Sequence, residues 1–404
     1  MLKQITSKYI FGLIFIVFVT SDFISKIGYQ YRSDLVYTSQ IIKAIFQLLA
    51  IVFIIKNYTS KYKTIYLSVF SLFFIHCIGL LFLDSEYSFL QKIKGNFVIL
   101  NWYLFIFVFF LASKIYLTKH NRFSEAIVTF LKTCFEIYFY LNLIAVIIGF
   151  LGNYELFSAY VKNSRFGYDG LIRNVSHASY ISIIYLIYFY YQHKNNSSIK
   201  NRFNLFLSVL FIFFLATKAV LLFFVLFIAF ILYKKSKIIL PIVVPLFFVV
   251  VFLSKDYILN VILPNYSPIL HKIYTNEGLI TMLTSLRSKQ FTELFIPYVA
   301  EKWGVMNYLF GGFDASLRKI EFELIDLLLT FGIIGIIIYL FTFFKYVIPI
   351  NFIREHSLIL ALFIVVFFAG SFFSSIPALT VFVVFYIIAD SLKPTENNLI
   401  KQNK

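Results

Sequence analysis

Charge and cysteine are what this chain has least of. Of its 404 residues only 14% are charged, and two are cysteines, Cys77 and Cys134, each inside an apolar run. A soluble domain carries about 25% charged residues, so water is excluded as the solvent of this chain. Two cysteines in separate apolar runs give neither a disulfide framework nor a metal-ligand spacing. A P-loop glycine pattern, a His-Glu-x-x-His pair and a nucleophile elbow are all missing, which leaves nucleotide-driven and zinc-dependent mechanisms without their residues. No internal repeat is visible, and no cofactor or metal is expected.

What fills the chain instead is hydrocarbon. Hydrophobic residues make up 60% and mean hydropathy is +0.85, so the chain needs lipid around it. The 53 Phe and 29 Tyr accompany abundant Ile, Lys and Asn, the residues that AT-rich codons favour; aromatic density is therefore given no ligand-binding meaning. A hydrocarbon core of about 30 Å takes roughly 20 helical residues to cross. Runs of that kind fall at 9–25, 35–55, 64–83, 96–117, 126–151, 172–191, 203–217, 218–233, 236–254, 323–345, 357–374 and 376–392. The expectation is an all-α polytopic membrane protein of about twelve transmembrane helices, with residues 1–404 forming one integral membrane domain. Lys3 and Lys8 before Tyr9 to Thr20 resemble a signal peptide, but no small-residue cleavage site follows, so this stretch reads as the first span.

The formal charge of +17 would point to nucleic acid in a soluble protein. Here its distribution points to orientation. Lys56, Lys61 and Lys63; Lys114, Lys119 and Arg122; Lys194, Lys200 and Arg202; Lys234, Lys235 and Lys237; and Lys345 with Arg354 all fall in loops on one side, as cytoplasmic loops do. Both termini, including the polar tail 393–404, then lie in the cytoplasm. The opposite side holds a shorter loop, 152–171, and one long loop, 255–322, whose Lys and Arg are nearly balanced by Asp and Glu. Long loops in compact proteins are usually functional, so chemistry is expected at that extracytoplasmic face.

Several polar residues do not suit a plain membrane helix. Arg165, Arg173 and His177 gather where the 152–171 loop meets the sixth span. An arginine fork suits bidentate phosphate contact, and snorkelling to headgroups is the structural alternative. Leu279 to Phe295 reads as an amphipathic helix with Arg287 inside its apolar stripe, between Ile280, Leu283, Phe291 and Leu294. Glu321, Glu323 and Asp326 open the tenth span, and acidic groups at such a place usually face a cavity or a cation; pairing with Arg318 or Lys319 is the alternative. Lys218 marks a tight turn after Thr217, either adding charge to the same site or anchoring the turn. Gln40, Lys43 and Gln47 on the second span, Lys132 with Glu136 on the fifth, and His76 read as groups satisfied inside the bundle.

With those residues in hand, the stretch from about 160 to 345 resembles the O-antigen polymerase (Wzy) and O-antigen ligase superfamily. The likeness rests on Arg165-x-Gly167 leading through Arg173-Asn174 to His177-Ala178-Ser179, on Thr217-Lys218-Ala219, and on Thr284-Ser285-Leu286-Arg287. It continues in Leu309-Phe310-Gly311-Gly312, Glu321-x-Glu323-x-x-Asp326 and Phe331-Gly332-Ile333-Ile334-Gly335. The family often has an arginine where this chain has Lys218. Its ligases more often show a His-Asn pair where this chain has its acidic group, so the polymerase branch is the nearer one.

The resemblance implies a GT-C-like bundle in a bacterial inner membrane. It implies an inverting, metal-independent glycosyltransferase that polymerises undecaprenyl-pyrophosphate-linked repeat units into O-antigen or capsular polysaccharide at the outer face. Basic side chains would carry the charge that a metal otherwise carries. Arg165, Arg173 and Arg287, assisted by Lys218, are the candidates for the pyrophosphate, and Glu321, Glu323, Asp326 or His177 for taking the acceptor proton; the residues leave that choice open. Expected partners are lipid-linked glycans, membrane lipids and a chain-length regulator protein, and no nucleic acid. The alternatives are an O-antigen ligase and, in another class, a polysaccharide flippase or secondary transporter, against which the unmatched halves and the outer-face clustering of charge argue.

Overall fold

The computed structural model describes residues 2–120, 124–160, 166–237, 245, 249, 252–313 and 319–391. Its long helices are α1 Leu2–Gln30, α2 Thr38–Lys56, α3 Lys63–Phe82, α4 Phe89–Lys119, α5 Ser124–Gly152, α6 Val175–Asn195, α7 Ile199–Leu215, α8 Lys218–Lys235, α9 Pro268–Leu283, α10 Glu323–Thr342, α11 Leu358–Ala369 and α12 Ile376–Ser391. Among the described residues no strand forms, and Ser158 and Tyr168 make only an isolated bridge. Among the described residues six helical stretches are long and apolar enough to cross a membrane: Tyr9–Gln30, Asp34–Lys56, Ser60–Phe82, Phe89–Lys119, Glu125–Gly152 and Glu323–Val347. The expected ninth span, 236–254, falls mostly outside the described residues, as do the tail 393–404, Arg165 and Arg318.

The packing is that of a protein in lipid. On α2, Ser39, Lys43 and Gln47 are buried with Ala50 and Ile54, whereas Ile41, Ile45, Leu48, Leu49, Val52 and Ile55 are exposed. A water-soluble helix shows the reverse pattern; here the apolar face needs a hydrocarbon solvent and the polar stripe needs the bundle interior. The centre is formed by α4, α6 and α12, apolar on nearly every side and buried over Tyr103–Leu111, Ala178–Phe189 and Ala378–Ile388. Around α12 pack α1, α4, α5 and α6, and α3 carries α10 on its other side. The chain is therefore an all-α membrane protein.

One expected element changes on inspection. Leu279 to Phe295 is not a single amphipathic helix: α9 ends at Leu283, Ser285 and Leu286 take left-handed φ of 54° and 71°, and a new helical stretch starts at Arg287. The Thr284 hydroxyl accepts the Ser288 N–H at 3.2 Å, the kind of local side-chain bond that offers the backbone an alternative to helix. The apolar periodicity runs on through the break, which is why it misplaces Arg287 on the stripe.

Candidate functional site

The polar groups collect at one end of the bundle, where α1 ends and α2 begins, where α6, α8 and α10 begin, and where α11 turns into α12. The basic loops lie at the other end. Two clusters stand out.

The first is closed. Lys26 on α1 forms a buried ion pair with Asp169 and donates to the Gly170 carbonyl at 2.6 Å. Burial pushes the Asp169 carboxyl up to about 7, against the pull of Lys26. One turn earlier on α1, Asp22 pairs with buried Lys43 and accepts the Ser39 hydroxyl at 2.5 Å. These bonds tie α1 to α2 and to the loop before α6. The reading of Lys43 as a satisfied interior group agrees with this; Asp22, Lys26 and Asp169 were not singled out from sequence, although an acid and a base four apart in an apolar run is a signal for such pairs.

The second cluster surrounds the start of α10. Glu323 is fully buried and its two oxygens accept the N–H groups of Phe372 at 2.7 Å and Phe373 at 3.1 Å, closing the α11–α12 turn. Asp326 accepts the N–H groups of Ile320 and Glu321, both at 3.1 Å. Both carboxylates thus satisfy backbone donors that would otherwise be stranded. Glu321 differs: its side chain pairs with Arg287 at 3.0 Å and is 38% exposed. Its backbone sits at φ 64°, a left-handed conformation that costs a non-glycine residue about 1–2 kcal/mol and is often stored where function needs it. Gly370 clamps that backbone, since a Cβ there would lie 1.9 Å from the Glu321 carbonyl oxygen.

The other expected site residues divide around this centre. Arg173, just before α6, donates to the Val36 carbonyl at 3.2 Å and stands over the Tyr29 ring at 5.6 Å. His177, in the first turn of α6, lies within electrostatic reach of Asp22, Lys43, Arg173 and Lys319. Lys218 bonds the Met282 carbonyl, so it fastens the start of α8 to the end of α9 and steadies the turn that presents Arg287. Lys319, named from sequence only as a pairing partner, sits over the rings of Trp102 and Tyr103 at 4.7 and 4.8 Å. It feels Asp326, Glu323 and Glu321. His177, Lys319, Glu321 and Arg287 therefore form a chain of mutually interacting groups, with Arg173 at one end.

The glycine motifs shape the floor. Gly332, at φ 63°, interrupts α10 and lets the backbone of Leu309–Gly311 approach so closely that a Cβ would lie 2.4 Å from Gly311 N. The carbonyl of Thr330 beside that break is taken by His76 Nδ1 at 2.8 Å, a structural role as read from sequence. Gly312 accepts both Trp303 Nε1 and the Tyr298 hydroxyl at 2.9 Å. Leu309-Phe310-Gly311-Gly312 and Phe331-Gly332 are thus two halves of one backbone contact that anchors the acidic start of α10.

Among the described residues no cluster of three or more His, Cys, Asp or Glu has the arrangement to hold a metal ion. The fold and this polar end define an all-α integral membrane protein with charged side chains gathered where several helices begin and end. Compared with known protein families, characterised proteins and solved structures, the chain matches none.

Proposed function

We propose that this chain polymerises undecaprenyl-pyrophosphate-linked oligosaccharide repeat units at the outer face of a bacterial inner membrane, as the polymerase branch it resembles does. The observation that carries the reading is the Arg287–Glu321 pair standing between Lys319 and the turn fastened by Lys218. An arginine that can exchange its carboxylate partner for a diphosphate is a phosphate ligand. The carboxylate it releases becomes free to take a proton. Glu323 and Asp326 have both oxygens engaged by backbone N–H groups, so of the three carboxylates Glu321 is the one suited to act as base, with His177 the alternative from α6.

In the proposed reaction an acceptor hydroxyl attacks the anomeric carbon of the donor as the bond to the pyrophosphate oxygen breaks with inversion. The bonding electrons leave with the lipid diphosphate, held by Arg287 and Arg173, and the hydroxyl proton passes to Glu321. Twelve spans, a GT-C-like arrangement, cytoplasmic termini and extracytoplasmic loops at 152–171 and 255–322 complete the reading; the basic loops at the opposite end of the bundle support that orientation.

The test is gel analysis of surface glycan from a deletion strain complemented with the wild type and with variants. Loss of a polymerase leaves single repeat units on the final acceptor; loss of a ligase leaves long chains on the lipid carrier. Arg287→Ala and Arg173→Ala strains, at equal protein level, should yield single units, and polymer of wild-type length from both would refute the assignment.

A further inference from the structure

We infer that Lys319 is an additional diphosphate-binding residue, a cation held ready between Arg287 and His177; this rests on the polymerase reading and names part of its donor site. The Nζ of Lys319 is shielded from solvent and has no hydrogen-bond partner among the described residues, and the Nε of Arg287 is shielded and unpartnered in the same way. Buried donors left unpaired in a native protein are rare and call for a partner. Here two such donors flank one carboxylate, Glu321.

The nearby acids do not fill the role. Glu323 and Asp326 spend their oxygens on the backbone of Phe372, Phe373, Ile320 and Glu321, and Glu321 is bonded to Arg287. Their charges act on Lys319 through space: burial lowers its ammonium below the usual lysine range, while Asp326, Glu323 and Glu321 pull the other way. The Trp102 and Tyr103 faces complete a cation-π seat, which orients the ammonium without consuming its N–H donors. A phosphate oxygen offers the acceptor that both orphan donors lack. Three residues separate Lys319 from Glu323, the first residue of α10, so the same turn would carry the base candidate Glu321 and a phosphate ligand.

The full-length protein in nanodiscs should be titrated with farnesyl diphosphate and, separately, with inorganic pyrophosphate, by calorimetry and by tryptophan fluorescence. The chain has two tryptophans, and drawing Lys319 off the Trp102 ring should change the emission of the wild type; an unchanged emission at saturation would overturn the inference even if no Lys319 variant folds. Lys319→Met should bind about tenfold more weakly or worse, the loss expected when one charged hydrogen bond goes, and Lys319→Arg should bind nearly as the wild type. Raising the pH should weaken binding to the wild type as the ammonium loses its proton, and less so for Lys319→Arg, with His177, Arg173, Arg287, Glu321, Glu323, Asp326 and Tyr103 facing the site alike in both. Binding of inorganic pyrophosphate as strong as that of the lipid diphosphate would assign the site to the free anion. If folded Lys319→Met binds as the wild type while Arg287→Ala does not, this inference fails and the polymerase reading stands. If the wild type binds neither diphosphate, both fail.

Discussion

The two charged clusters at the polar end both pair a cation with a carboxylate, and they differ in burial and in how fully their donors are used. In the first, Lys26 and Asp169 expose 6% and 2% of their side chains and make every bond to each other or to adjacent backbone. In the second, Arg287 and Glu321 expose 18% and 38%, and Lys319 Nζ and Arg287 Nε lack partners among the described residues. A buried pair that is fully satisfied holds helices in register; a pair that is reachable and surrounded by unused donors can exchange partners. Burial and satisfaction, more than charge itself, separate a structural pair from one suited to the proposed chemistry.

The largest effect should come from breaking the closed cluster. Lys26→Met leaves the Asp169 carboxylate buried without its cation, which costs about 3–5 kcal/mol. Thermal unfolding of the detergent-solubilised protein should show it, and Lys26→Met with Asp169→Leu should recover most of the loss, because removing both charges removes the penalty. A single variant as stable as the wild type would erase the distinction between the clusters. Arg287→Ala should act on the other axis: stability nearly unchanged, and polymer formation down about a hundredfold, roughly 3 kcal/mol in barrier by analogy with oxyanion donors.

Sequence made half of this comparison legible. Arg173, His177, Lys218, Glu321, Glu323 and Asp326 were visible because each is a polar residue at the margin of an apolar run, where burial is costly and needs a reason, and Arg287 because it falls within an apolar stripe. The division of labour among them was not visible. That Glu323 holds the α11–α12 turn depends on Phe372 and Phe373, about fifty residues away, and no local pattern encodes that distance. Sequence offers Lys319 only as a pairing partner of the acidic group, because its seat, Trp102 and Tyr103, comes from α4. The helix break at Thr284–Leu286 was hidden for the opposite reason: the apolar periodicity continues across it, and only the backbone φ values reveal the turn. Length and apolarity were easier to read: six of the expected runs form helices long and apolar enough to cross a membrane among the described residues.

Glu321→Gln and Glu323→Gln sharpen the contrast within the open cluster. Both remove one negative charge at positions two residues apart. Glu323→Gln leaves one backbone N–H of Phe372 or Phe373 without its acceptor oxygen and should cost about 1–3 kcal/mol of stability, with activity falling only as far as folded protein does. Glu321→Gln should melt within about 1 kcal/mol of the wild type, since a half-exposed ion pair contributes little, and should lose polymerisation. Equal loss of activity per folded molecule in both would mean that the backbone-bound carboxylate also takes part in the chemistry.

The finest test uses the Glu321 backbone. With the carboxylate gone from both, Glu321→Gly and Glu321→Ala differ only in what the residue does at φ 64°. Alanine there keeps the steric cost of the left-handed conformation and glycine does not, although glycine's greater freedom in the unfolded chain offsets part of the gain. Glu321→Gly should therefore be the more stable of two inactive proteins, by up to about 1 kcal/mol. If alanine is equally or better tolerated, the turn clamped by Gly370 and Asp326 does not hold residue 321 under strain, and the base candidate would be positioned by its bond to Arg287 alone.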